Sequence, residues 1–251
     1  MQPVVVQSYF WFGTAVRYLE DAAIGYQIHA AWGILHNLRQ FFQIVAVLNL
    51  VVTKRASSKL EEFTKRMEQS PDGSVLSQEQ ATELSGLMSS IRTTLEAELL
   101  GLEAWVVSPK RNDPQKLIND PGSLFAPDVF KSMPEICRFD FSEAAKCIAF
   151  ERATAAAFHL MRGTEGVLRS FYCHYVIRNR CSPLLWYPMV QGLQVHRKAK
   201  KNDVLLRNLD NIRLSFRNPT QHPDKVYDIH EAQDLWGLSV DVVNRMMKAM
   251  T

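Results

Sequence analysis

Cysteine is scarce, and its spacing is uninformative for metal chemistry. The four residues Cys137, Cys147, Cys173 and Cys181 include no Cys-x2-Cys pair of the kind that holds zinc. They read as small buried hydrophobes in a reducing compartment, with a disulfide or a metal site as the alternative. No glycine-rich nucleotide loop, no His-Glu-x-x-His and no Gly-x-Ser-x-Gly occurs, which removes the P-loop, zinc-protease and α/β-hydrolase readings. Sheet-based RNA-binding modules such as the RRM and the OB-fold find no support either. A long hydrophobic run is also missing. The best stretch, Ile44 to Val52, is interrupted by Asn49 and is far too short to span a bilayer. The residues Met1 to Trp11 lack a basic segment leading into an apolar run, so no secretory leader and no membrane association are expected, and the cytoplasm is the expected location. The net charge of +3 is mild and identifies no partner by itself.

What is present suits helices. With 251 residues, 47% of them hydrophobic, the chain can form one large domain or two small ones. Trp32, Leu35, Leu38, Phe42, Val45 and Val52 recur mostly at three to four residues and predict one buried helix. Val4-Val5-Val6 would allow a short strand or an extended arm. Residues 54–70 predict a solvated helix with a narrow stripe of Leu60, Phe63 and Met67. After a turn at Ser70-Pro71-Asp72-Gly73, Ser77 and Gln80 form a capping box. The following helix carries Leu84, Leu87, Ile91, Leu95, Leu99, Leu102 and Val106, a length that suits a hairpin arm, a bundle edge or a dimer surface.

Prolines and turn formers then accumulate, placing a connector at 107–139 between an N-terminal helical region, 1–106, and a C-terminal one, 140–251. Asp140 and Glu143 read as a capping box that opens the second region. A helix from about Arg152 to Tyr175 follows. Its Ala153–Ala157 run permits close packing, and Phe158, Met161, Leu168, Phe171 and Tyr172 can form its buried face. His159, Arg162 and Glu165 lie three apart and remain near neighbours on that helix. Leu205, Leu209, Ile212 and Phe216 define another helix from about Asp203. Asp228 and Glu231 cap the last one, which carries Leu235, Val242, Val243, Met246 and Met250. The fold class is therefore all-α: a C-terminal up-down bundle of four to five helices with an additional N-terminal helical region.

Residues 197–217 hold seven basic side chains against two acidic ones, Asp203 and Asp210. This local basic surface includes Arg197, Lys200, Lys201 and Arg213, all candidates for binding RNA phosphates. It leads into Arg217-Asn218-Pro219-Thr220-Gln221-His222-Pro223. Arg217 falls in the last turn of a helix, Asn218 can help end it by bonding to backbone, and the two prolines stiffen the turn. Arg217 could clamp a phosphate, and His222 could accept the proton of an RNA 2′-hydroxyl or protonate the leaving 5′-oxygen. Equally, Arg217 could pair with a carboxylate while His222 caps the next helix.

The pattern Phe216 to Pro223 resembles the Arg-x4–6-His signature of HEPN domains, in which a polar residue commonly follows the arginine. The segments Phe141–Phe150 and Ala155–Arg162, followed by Glu165, are similar to the opening helices of a bacterial group of these proteins. The resemblance covers about residues 125–250. It implies a compact helical domain that usually forms a homodimer, with many members acting as metal-independent ribonucleases in toxin–antitoxin systems, antiphage defence or RNA processing. Arg217 and His222 would be the catalytic pair and Asn218 the polar neighbour, with no metal and no cofactor. Glu165 would orient Arg217 or His222, or would instead form an ion pair with Arg162 or Arg169. A single motif histidine per subunit makes two juxtaposed subunits the natural source of paired acid and base. Other members of the family serve as non-catalytic antitoxins, scaffolds or nucleotide-binding partners, and a nucleotidyltransferase is one partner the resemblance implies. Residues 1–106 carry no signature that assigns them a role.

Overall fold

The computed structural model describes residues 6–103, 106–178, 180–218 and 225–250. It is 73% helical, with twelve α-helices and no strand among the described residues, so the chain is all-α. Two compact units divide it, Met1–Trp105 and Val106–Thr251.

The first unit contains α1 (Val6–Glu20), α2 (Ile34–Val47), α3 (Val51–Ala56), α4 (Ser58–Glu68) and α5 (Gln78–Leu99). The single helix expected across Trp32–Val52 is broken. Asn49 takes a left-handed backbone with φ 52°, and Leu50 N–H reaches back to Val45 O at 3.0 Å. Asparagine tolerates that conformation better than most residues, so the apolar run is divided into α2 and α3. A carboxylate of α5 then caps α3, Glu98 accepting from Val52 N–H at 3.0 Å and Thr53 N–H at 2.7 Å. The predicted Ser77–Gln80 capping box is present, with bonds of 3.2 and 2.9 Å. The helix it opens ends at Leu99, well before Val106. The three-to-four spacing continues past that point, but Leu102 is half exposed and Leu100 and Val106 are almost fully exposed, so the spacing there marks no buried face.

The second unit contains α6 (Pro114–Asn119), α7 (Val129–Ser132), α8 (Glu135–Ala149), α9 (Ala153–Tyr175), α10 (Trp186–Val195), α11 (Asp203–Ile212) and α12 (Ile229–Met250). Residues 107–139, expected as a connector, contribute Leu117, Phe125, Met133 and Cys137 to the core of this unit. The expected start of a helix at Asp140 is also displaced. α8 begins directly after Pro134, and Asp140 lies in its middle with its carboxylate turned to other side chains. The apolar period of Cys137, Phe141, Ala144 and Ile148 shows why: the buried face starts a turn earlier.

α8 and α9 form an antiparallel hairpin joined through Glu151, whose φ is 59°. Their axes approach closely because α9 presents glycines. A Cβ at Gly166 would lie 2.5 Å from Cys137 Sγ, and one at Gly163 would lie 3.1 Å from the Phe141 ring. α12 runs parallel to α9, since Tyr227 N–H meets Thr154 Oγ1 near one end and Tyr175 O–H meets Ala249 O at the other. α10 and α11 return the chain between them and are tied by Trp186 Nε1–H donating to Leu209 O at 3.1 Å. The predicted Asp228–Glu231 capping box opens α12.

Candidate functional site

A cleft of about 510 Å³ lies between α8, α9 and the turn that follows α11. Its polar lining is Asp140, His159, Arg162, Glu165, Arg169 and Arg217, with Ile136, Phe158 and Met161 among the apolar residues. Each comes from a definable local cause. His159, Arg162, Glu165 and Arg169 sit at three- to four-residue intervals, so α9 brings them to one stripe. Arg217 arrives from α11. That helix widens over Arg213–Arg217 into a π-helical turn, and Asn218 N–H donates to Arg213 O five residues back. Such turns are rare and frequently occur at functional sites. Tyr227 supports this one, stacking on Phe216 at 6.3 Å and donating its O–H to Phe216 O at 2.9 Å.

Beneath the cleft, Asp140 is 1% exposed. Its Oδ1 is 2.9 Å from His159 Nδ1, and Arg162 Nε donates to Oδ2 at 2.7 Å and to Oδ1 at 2.9 Å. The side chains resting on it are more open, His159 at 28% and Arg162 at 58%. The Arg162 guanidinium is held above its ordinary pKa by the hydrogen bond to Asp140, so it is a permanent cation. Higher on the same stripe Glu165 bridges two arginines, Arg169 Nη2 at 2.8 Å and Arg217 Nη2 at 3.7 Å. Three guanidiniums therefore face the cleft beside two carboxylates and one imidazole.

The residues named from sequence distribute unevenly. Arg217 and Glu165 share the cleft, and Glu165 holds two of the three arginine partners anticipated for it, Arg169 and Arg217, while Asp140 takes the third, Arg162. Asn218 is half-buried at the end of the π-helical turn with helical backbone, so the chain has not yet left the helix there. His222 lies outside the described residues. Arg197, Lys200 and Lys201 are exposed around the α10–α11 connection, and none of them lines the cleft. Arg213 is spoken for: its Nε is 2.8 Å from Asp210 Oδ1 and its guanidinium lies 4.6 Å from the Tyr187 ring centre. Phe158, expected on the buried face of α9, is 53% exposed at the edge of the cleft.

The pairing of Asp140 on α8 with His159 and Arg162 on α9 is the feature sequence reasoning did not find. The Asp140–Glu143 spacing imitates a helix cap, whereas the true partners lie nineteen and twenty-two residues away on α9. Among the described residues no group of three or more His, Cys, Asp or Glu side chains is arranged to hold a metal, and no helix is long and apolar enough to cross a membrane. No protein-family model matches the chain, and no match is found among curated proteins or solved structures.

Proposed function

We propose that this cleft binds and cleaves RNA, and that the chain is a ribonuclease of the HEPN type acting by 2′-hydroxyl attack to leave 2′,3′-cyclic phosphate ends. The observation that carries the reading is the arrival of Arg217 in a cleft already lined by Arg162, Arg169 and His159. In this proposal Arg217 binds the non-bridging oxygens of the scissile phosphate, where a bidentate guanidinium is well matched to developing charge. Glu165 orients it, Asn218 is its polar neighbour, and His222 handles a proton. The exposed Arg197, Lys200 and Lys201 would follow the strand beyond the site through phosphate contacts. A cytoplasmic toxin–antitoxin or antiphage role, a homodimer and a nucleotidyltransferase or other antitoxin partner belong to the same proposal.

The test is incubation of the purified full chain with single-stranded RNA in EDTA, with analysis of the product ends. Cyclic phosphate ends are expected, together with a fall in rate of about 10²–10³-fold in Arg217→Ala, as for loss of one transition-state donor. Cutting that survives both Arg217→Ala and His222→Ala would point to a contaminant. Absence of cutting by the unaltered chain, with a stable protein or nucleotide complex instead, would move the assignment to a non-catalytic antitoxin, scaffold or nucleotide-binding partner of the same fold.

A further inference from the structure

The motif supplies one histidine per chain, but cleavage through the 2′-oxygen moves two protons. One leaves the attacking hydroxyl and one must reach the departing oxygen. The cleft contains an imidazole from outside the motif, His159, already in an arrangement suited to proton transfer. An aspartate that accepts from Nδ1–H fixes the tautomer that leaves the Nε2 lone pair available, and stabilises the imidazolium formed when that lone pair takes a proton. Asp140 stands in that relation to His159 at 2.9 Å, buried beneath a partly exposed ring. Arg162 Nε donates to both carboxylate oxygens and holds the carboxylate in place beneath the ring. The Phe139 ring borders the imidazole as well, with the two ring centres 6.3 Å apart in an edge-on arrangement.

We infer that His159 is the general base of the cleft and Asp140 its positioning residue, an assignment that rests on the ribonuclease reading above. Nε2 of His159 takes the proton of the ribose 2′-hydroxyl as the 2′-oxygen bonds to phosphorus. The bond from phosphorus to the 5′-oxygen breaks, and that oxygen leaves with its electron pair and receives a proton from a second group, the part given to His222. The products are a 2′,3′-cyclic phosphate and a 5′-hydroxyl, and no oxidant or co-reactant enters. The proton on His159 then passes to solvent. The cleft would thus hold its own base without borrowing one from a second copy of the chain.

The experiment compares His159→Asn, His222→Ala and Arg217→Ala on an ordinary RNA and on the same RNA with sulfur replacing the 5′-bridging oxygen at the cut site. Asparagine retains a side-chain amide able to donate to Asp140 but has no atom in place of Nε2, and thermal melting confirms that each variant is folded. His159→Asn should lose about 10²–10⁴-fold in rate, the usual contribution of a positioned base. It should lose as much on the sulfur substrate, whose leaving group needs no protonation, whereas His222→Ala should recover there. Asp140→Asn, whose amide oxygen can still accept from Nδ1–H but carries no charge to stabilise the imidazolium, should lose less, with the loss falling on kcat and KM unchanged, a split that a purely structural role would not give. Full activity in His159→Asn, beside a loss in Arg217→Ala and His222→Ala, would overturn the inference and leave the ribonuclease reading standing. Recovery of His159→Asn on the sulfur substrate would overturn the assignment as base. No cutting by the unaltered chain would overturn both.

Discussion

Replacing Asp140 by asparagine changes little in shape and much in bonding, which makes it a sharp probe of how α8 is held to α9. In the native chain three donors converge on two oxygens: His159 Nδ1 at 2.9 Å from Oδ1, Arg162 Nε at 2.7 Å from Oδ2, and Arg162 Nη2 on Oδ1. An asparagine can keep its oxygen where His159 and Nη2 meet, but its amide nitrogen then faces Arg162 Nε, donor against donor. Hydrogen bonds to charged groups contribute about 1.5–3 kcal/mol. Because the Arg162 side chain is 58% exposed, water can satisfy part of what it loses, so the lower half of that range applies. The opposing effect is relief of a buried charge, whose desolvation can cost several kcal/mol and can make a buried ion pair worth no more than an apolar replacement. The donors decide the sign, since asparagine removes the charge while leaving its partners in place. The expected net loss is about 1 kcal/mol, or a fall of about 2–4 °C in melting temperature for a unit of this size. Calorimetry on the full chain, with the buried Trp186 and Trp236 reporting fluorescence from the second unit, would measure it. An Asp140→Asn variant that melts at or above the native temperature would refute the reasoning, because desolvation would then outweigh the converging donors.

Other perturbations have separable readouts. Gly166→Ala adds a Cβ 2.5 Å from Cys137 Sγ. Overpacking of about 1–3 kcal/mol against a helix-propensity gain of about 1 kcal/mol gives a net destabilisation of about 1 kcal/mol in urea unfolding, which adding Cys137→Ala should reverse. The Cys137 thiol is pushed up to about 11 by burial, with the Asp140 charge adding to the effect, so mild alkylation at pH 8 should leave Cys137 unlabelled until the unit unfolds. At Asn49, with φ 52°, valine should cost about 1–2 kcal/mol while glycine should change stability by only a few tenths, measured by shifts in the urea midpoint. At the start of α12, Glu231 is held below its usual pKa by its hydrogen bond to Lys225 and then by the Asp228 backbone, and Asp228 by the backbone N–H groups of Glu231 and His230. A carboxylate whose folded pKa is depressed contributes above its unfolded value and loses that contribution as pH falls through the folded one. Amide exchange at His230 and Glu231, corrected for intrinsic rates, should therefore accelerate as pH drops through and below the ordinary carboxylate range, and should be flat above it.

How far the sequence could be read depended on how far apart the interacting residues lie. The capping boxes at Ser77–Gln80 and Asp228–Glu231 were legible because both partners fall within one turn, and local chemistry alone specifies them. The glutamate at 165 was legible as an arginine partner, and the stripe of His159, Arg162 and Glu165 follows from helical geometry. Periodicity failed where it had to stand in for tertiary contact. It ran α5 on through Leu102 because it registers an apolar face without registering whether another element covers it. It placed Phe158 inside because hydrophobicity does not say which side of α9 meets α8. The glycines at 163 and 166 were the signal that could have corrected both α8 and α9. Two glycines three residues apart in an otherwise strong helix cost about 1 kcal/mol each relative to alanine, and that cost has a reason when another backbone must approach. Here the approach seats Cys137 and Phe141 against α9 and, in the same register, sets Asp140 under His159 and Arg162. Packing and the candidate acid–base chemistry are therefore coupled through one helix contact. Under the ribonuclease reading, Gly166→Ala should lower cleavage by displacing Asp140 from His159, and Cys137→Ala should restore activity together with stability. Restored stability without restored activity would mean that the two are not linked through this contact.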